Sequence, residues 1–366
     1  MATARKPALV SDGMREQFAR LYPDRRIIEV EPLAPDTGAT SSTAKVAGYG
    51  FPLRVVLGDD RGETIEVVWR TASPNRFGHE RRADRAANAI LAYSDFARIP
   101  DHIKALDIGA IGPTGELVSL RDTGEYYLIT SYARGTIYAD DLRRIATNGA
   151  EPADLARVDA LAGYLGRLHT PINDPIAYRR AVRDLIGHGE GIYGIVDGYP
   201  TSTPGADPDR LRALEARCAE WRWHLRGRET RLTRTHGDFH PFNVVFGTGT
   251  ALTLLDASRG TCGDPADDVT AMIVNYLLFA LDVEGAWARG LRELWDQFWI
   301  CYLRARPDPH LFEVAPPWFA WRALVVCNPR FYPKLTERAR DALLGFTERM
   351  LELGRMDPWL ADELFR

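Results

Sequence analysis

His236-Gly237-Asp238-Phe239-His240-Pro241-Phe242-Asn243-Val244-Val245-Phe246 is the stretch on which the reading of this chain turns. Asp238 and Asn243 stand five residues apart in it. A strand-like run, Ala251 to Leu255, follows and ends in a third oxygen-bearing side chain, Asp256. Phosphoryl transfer asks for such a set. One carboxylate must orient the attacking hydroxyl and take its proton, and hard oxygen donors must hold Mg²⁺ against the phosphates.

The order His-x-Asp, four residues, then Asn is also that of the protein-kinase catalytic loop. Residues 236–243 fit the more specific pattern His-Gly-Asp-x-His-x-x-Asn at every fixed position. Leu254-Leu255-Asp256 then supplies an Asp after a short hydrophobic strand, and Gly263-Asp264-Pro265-Ala266-Asp267-Asp268 a Gly-Asp-Pro-Ala-x-Asp run. With these three elements in order, the chain resembles the aminoglycoside phosphotransferase and choline kinase-like family, small-molecule relatives of protein kinases. The resemblance implies an α+β, two-lobed, protein-kinase-like fold. A small β-rich nucleotide-binding lobe would cover residues 1–131, and a larger helical catalytic and acceptor-binding lobe residues 132–366. It implies catalytic roles for Asp238, Asn243 and Asp256, with Asn243 and Asp256 as the Mg²⁺ ligands and ATP or GTP as phosphoryl donor. His236 and His240 read as braces of the loop. A His-x-Asp-x-His metal cluster of His236, Asp238 and His240 is the competing reading, and it leaves Asn243 and Asp256 unexplained.

The nucleotide side follows from the same resemblance. Ala34 to Lys45 is a run of small and hydroxyl residues that can approach phosphates through backbone N–H groups. Gly38, Thr40, Ser41 and Lys45 are its candidates, Lys45 also as a rival of Arg70 for the phosphate contact. In the strand Thr64 to Thr71, Arg70 stands where kinases carry a phosphate-pairing lysine, a departure that keeps the charge and adds a planar fork. Glu80, expected in the first turn of a helix over Gly78 to Tyr93, is its candidate partner, with Asp84 as fallback. Ala83, Ala86, Ala87, Ile90 and Leu91 would form that helix's buried stripe. Val118 to Leu120 and Tyr126 to Thr130 read as paired strands. The segment after them, with Ser131 and Ala133, would meet the nucleotide base through its backbone.

Farther on, Asp154 to His169, Asp209 to Arg226, Val269 to Leu281, Ala286 to Arg304, Pro317 to Val326 and Leu335 to Leu353 carry helical periodicity. Ala181 to Pro208 is rich in Gly and Pro and reads as irregular, either a substrate loop with His188, Glu190 and Tyr193 or a self-packed insertion. Arg259 departs from the family pattern and could reach a phosphate, or pair with Asp264 or Asp268. Asp268 reads as the cap of the 269–281 helix and a brace of the 236–243 loop, and His169 as another brace.

Composition narrows the class. The chain has 366 residues and a net charge of −4, enough for two lobes and a sizeable core. It has no basic block to engage nucleic acid and no run of about 18 apolar residues to span a membrane. Four cysteines without metal spacing fit reduced thiols and a cytoplasmic location. The partners expected are thus a nucleotide and a small hydroxylated acceptor. The aromatic residues of the last hundred positions, at helical spacing around Trp295, Trp299 and Tyr302, fit core packing first and a ring-binding pocket second. The function that fits is a small-molecule kinase, of the antibiotic-resistance type or acting on a metabolite such as a sugar or amino alcohol. A nucleotide-binding pseudokinase is the rival class. A protein kinase is disfavoured, because no Ala-Pro-Glu segment follows Asp256.

Overall fold

The computed structural model describes residues 10–33 and 50–365. Gly38, Thr40, Ser41 and Lys45 lie outside them. The chain divides into two units, Met1–Ile129 and Thr130–Arg366.

The first unit begins with α1 (Asp12–Leu21), capped by the Ser11 hydroxyl, which accepts the Met14 N–H. A three-stranded antiparallel sheet follows in the order β1 (Arg26–Pro32), β2 (Gly50–Gly58), β3 (Thr64–Ala72). Met14 and Phe18 of α1 pack with Leu53, Val55 and Leu57 of the central strand to make this unit's small core. Alternation along β3 is what a half-buried strand requires, since neighbouring side chains point to opposite faces, whereas Val55, Val56 and Leu57 of the central strand are all buried. Helix α2 (Arg82–Asp95) and the hairpin β4 (Gly109–Ile111) and β5 (Leu117–Ser119) complete the unit.

Two expectations fail here. Helix α2 starts at Arg82, where the Asp84 carboxylate accepts the Arg81 N–H, so Glu80 precedes the helix. Its alanine stripe is exposed and no residue of α2 is buried, because periodicity marks a face without supplying a surface to cover it. Likewise β5 pairs with β4, and Tyr126 to Thr130 joins no ladder; Tyr127, Leu128 and Ile129 stand exposed. Strand propensity needs a neighbouring strand to become a strand.

Helices dominate the second unit. The short strand β6 (Thr136–Ile137) leads into α3 (Tyr138–Asn148), α4 (Pro152–Leu168), α5 (Pro175–Gly187), α6 (Ile192–Asp197) and α7 (Pro208–His224). Then come β7 (Thr233–Arg234), β8 (Val244–Phe246), β9 (Leu252–Leu254) and β10 (Cys262–Gly263). The chain ends in α8 (Pro265–Asp282), α9 (Arg292–Ala305), α10 (Leu311–Val314), α11 (Pro316–Cys327) and α12 (Glu337–Leu353). Before α9, Trp287–Leu291 forms a π-helical turn rather than continuous α-helix.

Helix α8 is buried on all sides from Pro265 to Ala280, its first-turn carboxylates Asp267 and Asp268 included. Trp295, Trp299 and Tyr302 of α9 and Trp318 and Phe319 of α11 are fully buried in the same core. The aromatic run therefore serves packing, and each such side chain contributes about 1.5–3 kcal/mol by leaving water. Residues 181–187, expected to be irregular, continue α5. The remainder of that stretch packs on the protein: Ile192, Ile195, Tyr199 and Ala206 are buried, and the Tyr199 hydroxyl donates to the Leu324 carbonyl at 2.6 Å. Among the described residues no helix is long and apolar enough to cross a membrane.

Candidate active site

Two short ladders hold the Thr235–Asn243 loop. β7, which enters it, pairs antiparallel with β10, and β8, which leaves it, lies between β6 and β9. Gly237 sits inside the loop at φ +80, where an added Cβ would collide with the Ser258 carbonyl oxygen, so only glycine fits. The β8–β9 register places Val244 opposite Leu254, and the Leu255 N–H donates to the Asn243 carbonyl at 2.9 Å. This hairpin brings Asp256, next along the chain, to the end of the sheet where Asn243 stands. Asp256 is exposed, with φ +47.

Asp238 is the most constrained carboxylate at the surface of this loop. Its Oδ1 accepts from Arg322 Nη1 at 2.6 Å. Its Oδ2 accepts from Asn243 Nδ2 at 3.1 Å and faces His240 Nε2 at 3.3 Å. Burial pushes this carboxyl toward its neutral form. The His240 hydrogen bond and the Arg322 charge outweigh it and hold Asp238 well below the usual carboxylate range. It is therefore an anion at neutral pH, still partly exposed, and able to accept a hydrogen bond and then a proton from a hydroxyl. The Asn243 amide group also donates to the Asp238 carbonyl at 3.1 Å, which leaves the Asn243 Oδ1 as the atom a cation would take.

Asn243 Oδ1 and the Asp256 carboxylate are hard oxygen donors at one end of the hairpin. They fit a Mg²⁺ that takes one or two protein ligands and completes its shell with phosphate and water. Among the described residues there is no cluster of three or more His, Cys, Asp or Glu that could hold a metal. His240 is used otherwise: its Nδ1 accepts the Phe242 N–H while Nε2 faces Asp238.

The loop is braced from behind by the start of α8. Asp264 caps this helix, accepting the Ala266 N–H at 3.0 Å, so the helix begins four residues before the expected Val269 and Asp268 lies within its first turn. From there the wholly buried Asp268 accepts the N–H groups of His236 and Gly237, each at 2.8 Å, and contacts His169 Nε2 at 3.2 Å. His169 Nδ1 in turn meets the Tyr302 hydroxyl at 2.9 Å. Asp264 is tied to Arg231 by two hydrogen bonds of 2.8 and 2.9 Å. Arg259 pairs with neither Asp264 nor Asp268. Its guanidinium donates to Asp267 at 2.8 Å and to the Gly237 carbonyl, and lies over the Trp321 ring.

Arg322 escaped the sequence reading. It is a buried arginine in an otherwise apolar helix, α11, and that isolation was the available signal: such a charge needs a buried carboxylate partner. Glu190 also comes to this neighbourhood. Its carbonyl accepts Trp321 Nε1 at 2.8 Å and its carboxylate accepts the Ser258 hydroxyl at 3.3 Å.

Arg70 is exposed on β3, its guanidinium 5.8 Å from the Phe96 ring centroid. Glu80 is half-buried in the segment leading into α2. Ser131 is exposed and Ala133 half-buried, just before Gly135, whose φ of +146 lets the chain pass close to the Phe246 carbonyl.

A model described as the phosphotransferase enzyme family matches residues 66–308. Among solved structures, the chain is similar to a macrolide 2'-phosphotransferase type I, at 16% identity over 92% of this chain and 98% of that one, with a TM-score of 0.31. It is similar to a choline kinase from Streptococcus pneumoniae at 13% identity, covering 93% and 98%, with a TM-score of 0.36. A glucosamine kinase gives 14% identity, 95% and 97% coverage and a TM-score of 0.38. Likenesses at this level carry no argument about what this chain binds. No curated protein sequence matches it.

Proposed function

The chain belongs to the phosphotransferase enzyme family, has its kinase-like α+β fold and is an ATP-dependent phosphotransferase acting on an alcohol group; from this premise we propose that the acceptor is a small hydroxylated molecule and that Asp238 orients its hydroxyl and takes its proton. The observation that carries the reading is the state of Asp238. It is an anion with one oxygen fixed by a guanidinium and the other beside Asn243 and His240. Phosphoryl transfer passes through a loose transition state, so positioning and charge compensation matter more than base strength. A carboxylate held well below its usual range suits that task, because it is always ready to accept.

Asn243 and Asp256 would hold Mg²⁺, which when bound supplies charge compensation at the phosphate oxygens. In the N-terminal unit, Arg70 or its rival Lys45 would pair with phosphate, Glu80 would orient Arg70, and Gly38, Thr40 and Ser41 would cover the nucleotide. The backbone at Ser131 and Ala133 would meet its base. The N-terminal lobe, residues 1–131, thus binds nucleotide, and residues 132–366 carry catalysis and the acceptor site.

The test is mass spectrometry of a mixed pool of aminoglycosides, other hydroxylated antibiotics, sugars and amino alcohols. The pool is incubated with the protein, Mg²⁺ and ATP or GTP, beside an Asp238→Asn control. A phosphorylated product absent from the control is expected, and its mass names the acceptor class as antibiotic or metabolite. Full turnover by Asp238→Asn would overturn the role given to Asp238.

A further inference from the structure

We propose that Arg322, on α11, is the positioning residue of this site, fixing the Asp238 carboxylate and the Gly237 carbonyl so that Asp238 meets the acceptor hydroxyl in one orientation. The inference rests on the role given to Asp238 above.

The geometry is that of one planar fork reaching three acceptors. Nη1 donates to Asp238 Oδ1 at 2.6 Å, while Nη2 donates to the Gly237 carbonyl and to Asp267 Oδ1, both at 2.9 Å. The guanidinium carbon lies 3.6 Å from the Trp321 ring centroid, which fixes the plane of the fork. Arg259 grips two of the same partners from the other chain segment, Asp267 through Oδ2 and the Gly237 carbonyl. Two arginines and two carboxylates thus balance in charge around the one peptide group that precedes Asp238.

The consequence for Asp238 falls on both of its oxygens. Oδ1 is committed to a short, charge-assisted bond. Oδ2 accepts two longer contacts, from Asn243 at 3.1 Å and His240 at 3.3 Å, so both oxygens are held and the carboxylate keeps one rotamer. Because the Gly237 carbonyl is pinned as well, rotation of the Asp238 side chain and tilting of its peptide are restrained by one group.

Stability alone does not account for Arg322. It is 5% exposed in a helix whose other buried residues are apolar or proline. Burying an ion pair costs desolvation that its attraction often only repays, and apolar replacements of such pairs are frequently neutral or stabilising. A guanidinium that instead orders a reacting carboxylate has a reason to be there.

The experiment compares wild type, Arg322→Lys and Arg322→Ala in Mg²⁺-dependent ATP turnover. Water is the acceptor in one arm and the acceptor found by the screen in the other. Near-ultraviolet circular dichroism checks folding. Lysine keeps the charge but cannot span three acceptors with a planar fork. We expect kcat to fall about 10²-fold in Arg322→Ala and at least about 10-fold in Arg322→Lys, with KM for ATP within about 2-fold of wild type. Added guanidinium should restore part of the kcat of Arg322→Ala, and methylammonium at the same concentration should not. A purely structural arginine would give no such selectivity. If Arg322→Ala does not fold, the kcat and KM of Arg322→Lys decide. The proposal is overturned if folded Arg322→Lys or Arg322→Ala keeps kcat within about 2-fold of wild type, or if loss appears in KM alone. A wild type with neither transfer nor hydrolysis would overturn the phosphotransferase role of Asp238 itself.

Discussion

Replacing Asp268 by asparagine should loosen the loop that carries Asp238, and the cost can be worked from its contacts. The carboxylate is wholly buried and receives three groups: the His236 N–H on Oδ2, the Gly237 N–H on Oδ1, and His169 Nε2 on Oδ2. Asparagine is the same size but offers one acceptor oxygen. Whichever way the amide turns, one buried backbone N–H faces an NH₂ group. An orphaned buried donor costs about 1–3 kcal/mol, and the surviving bonds lose the strength that charge lent them, so a total of about 2–4 kcal/mol is expected. Against a typical stability of about 5–15 kcal/mol that is a large fraction. Urea unfolding followed by tryptophan fluorescence should show a lower midpoint with an unchanged slope. The pH dependence adds a second reading. Burial pushes the Asp268 carboxyl up, but the His169 hydrogen bond and charge and the two N–H groups pull it below its usual value. A depressed folded pKa means stability that is present above the unfolded value of about 3.9 and lost as pH falls through the folded one. Wild type and Asp268→Asn should therefore differ at neutral pH and converge in acid. A midpoint shift worth less than about 1 kcal/mol at neutral pH would refute the idea that Asp268 holds the loop through these bonds.

Asp256→Ala should abolish Mg²⁺-dependent nucleotide binding, measured by calorimetry with and without chelator, while leaving the melting temperature within a few degrees of wild type. Gly237→Ala should destabilise by more than about 2 kcal/mol, because it combines a left-handed backbone with a Cβ driven into the Ser258 carbonyl; thermal melting checks it. Arg231→Met should cost about 3–5 kcal/mol in urea unfolding, since it removes the guanidinium paired with the wholly buried Asp264 carboxylate and leaves Asp308 to Arg306 alone. The Asp308 carboxyl is pushed up by burial but pulled below its usual value by Arg231 and Arg306. Its contribution should accordingly disappear as the wild type is acidified through about 3.9 and below, narrowing the gap to Arg231→Met.

The contact between Asp238 and Asn243, and the hairpin that carries the chain back to Asp256, were legible because these residues are close in sequence, so local order already implies proximity. The bracing role of Asp268 and His169 was legible through the motif, while the start of α8 at Pro265 was missed for lack of weight given to Asp264 as a cap. The stripe on α2 and the strand at Tyr126 to Thr130 show the converse. Periodicity and propensity described those segments, but neither found a surface or a neighbouring strand.

Local chemistry could be read from the chain: which side chains can accept a proton or hold a hard cation, and which helices carry an apolar face. These depend on residues within a few turns of one another. The surroundings of that chemistry came from the three-dimensional packing. Arg322 lies 84 positions from Asp238, Asp268 lies 99 from His169, and Trp321 reaches back 131 positions to Glu190. No spacing rule links such pairs. They meet because helices α8 and α11 bury apolar faces in one core, and that packing carries the polar groups between them into contact.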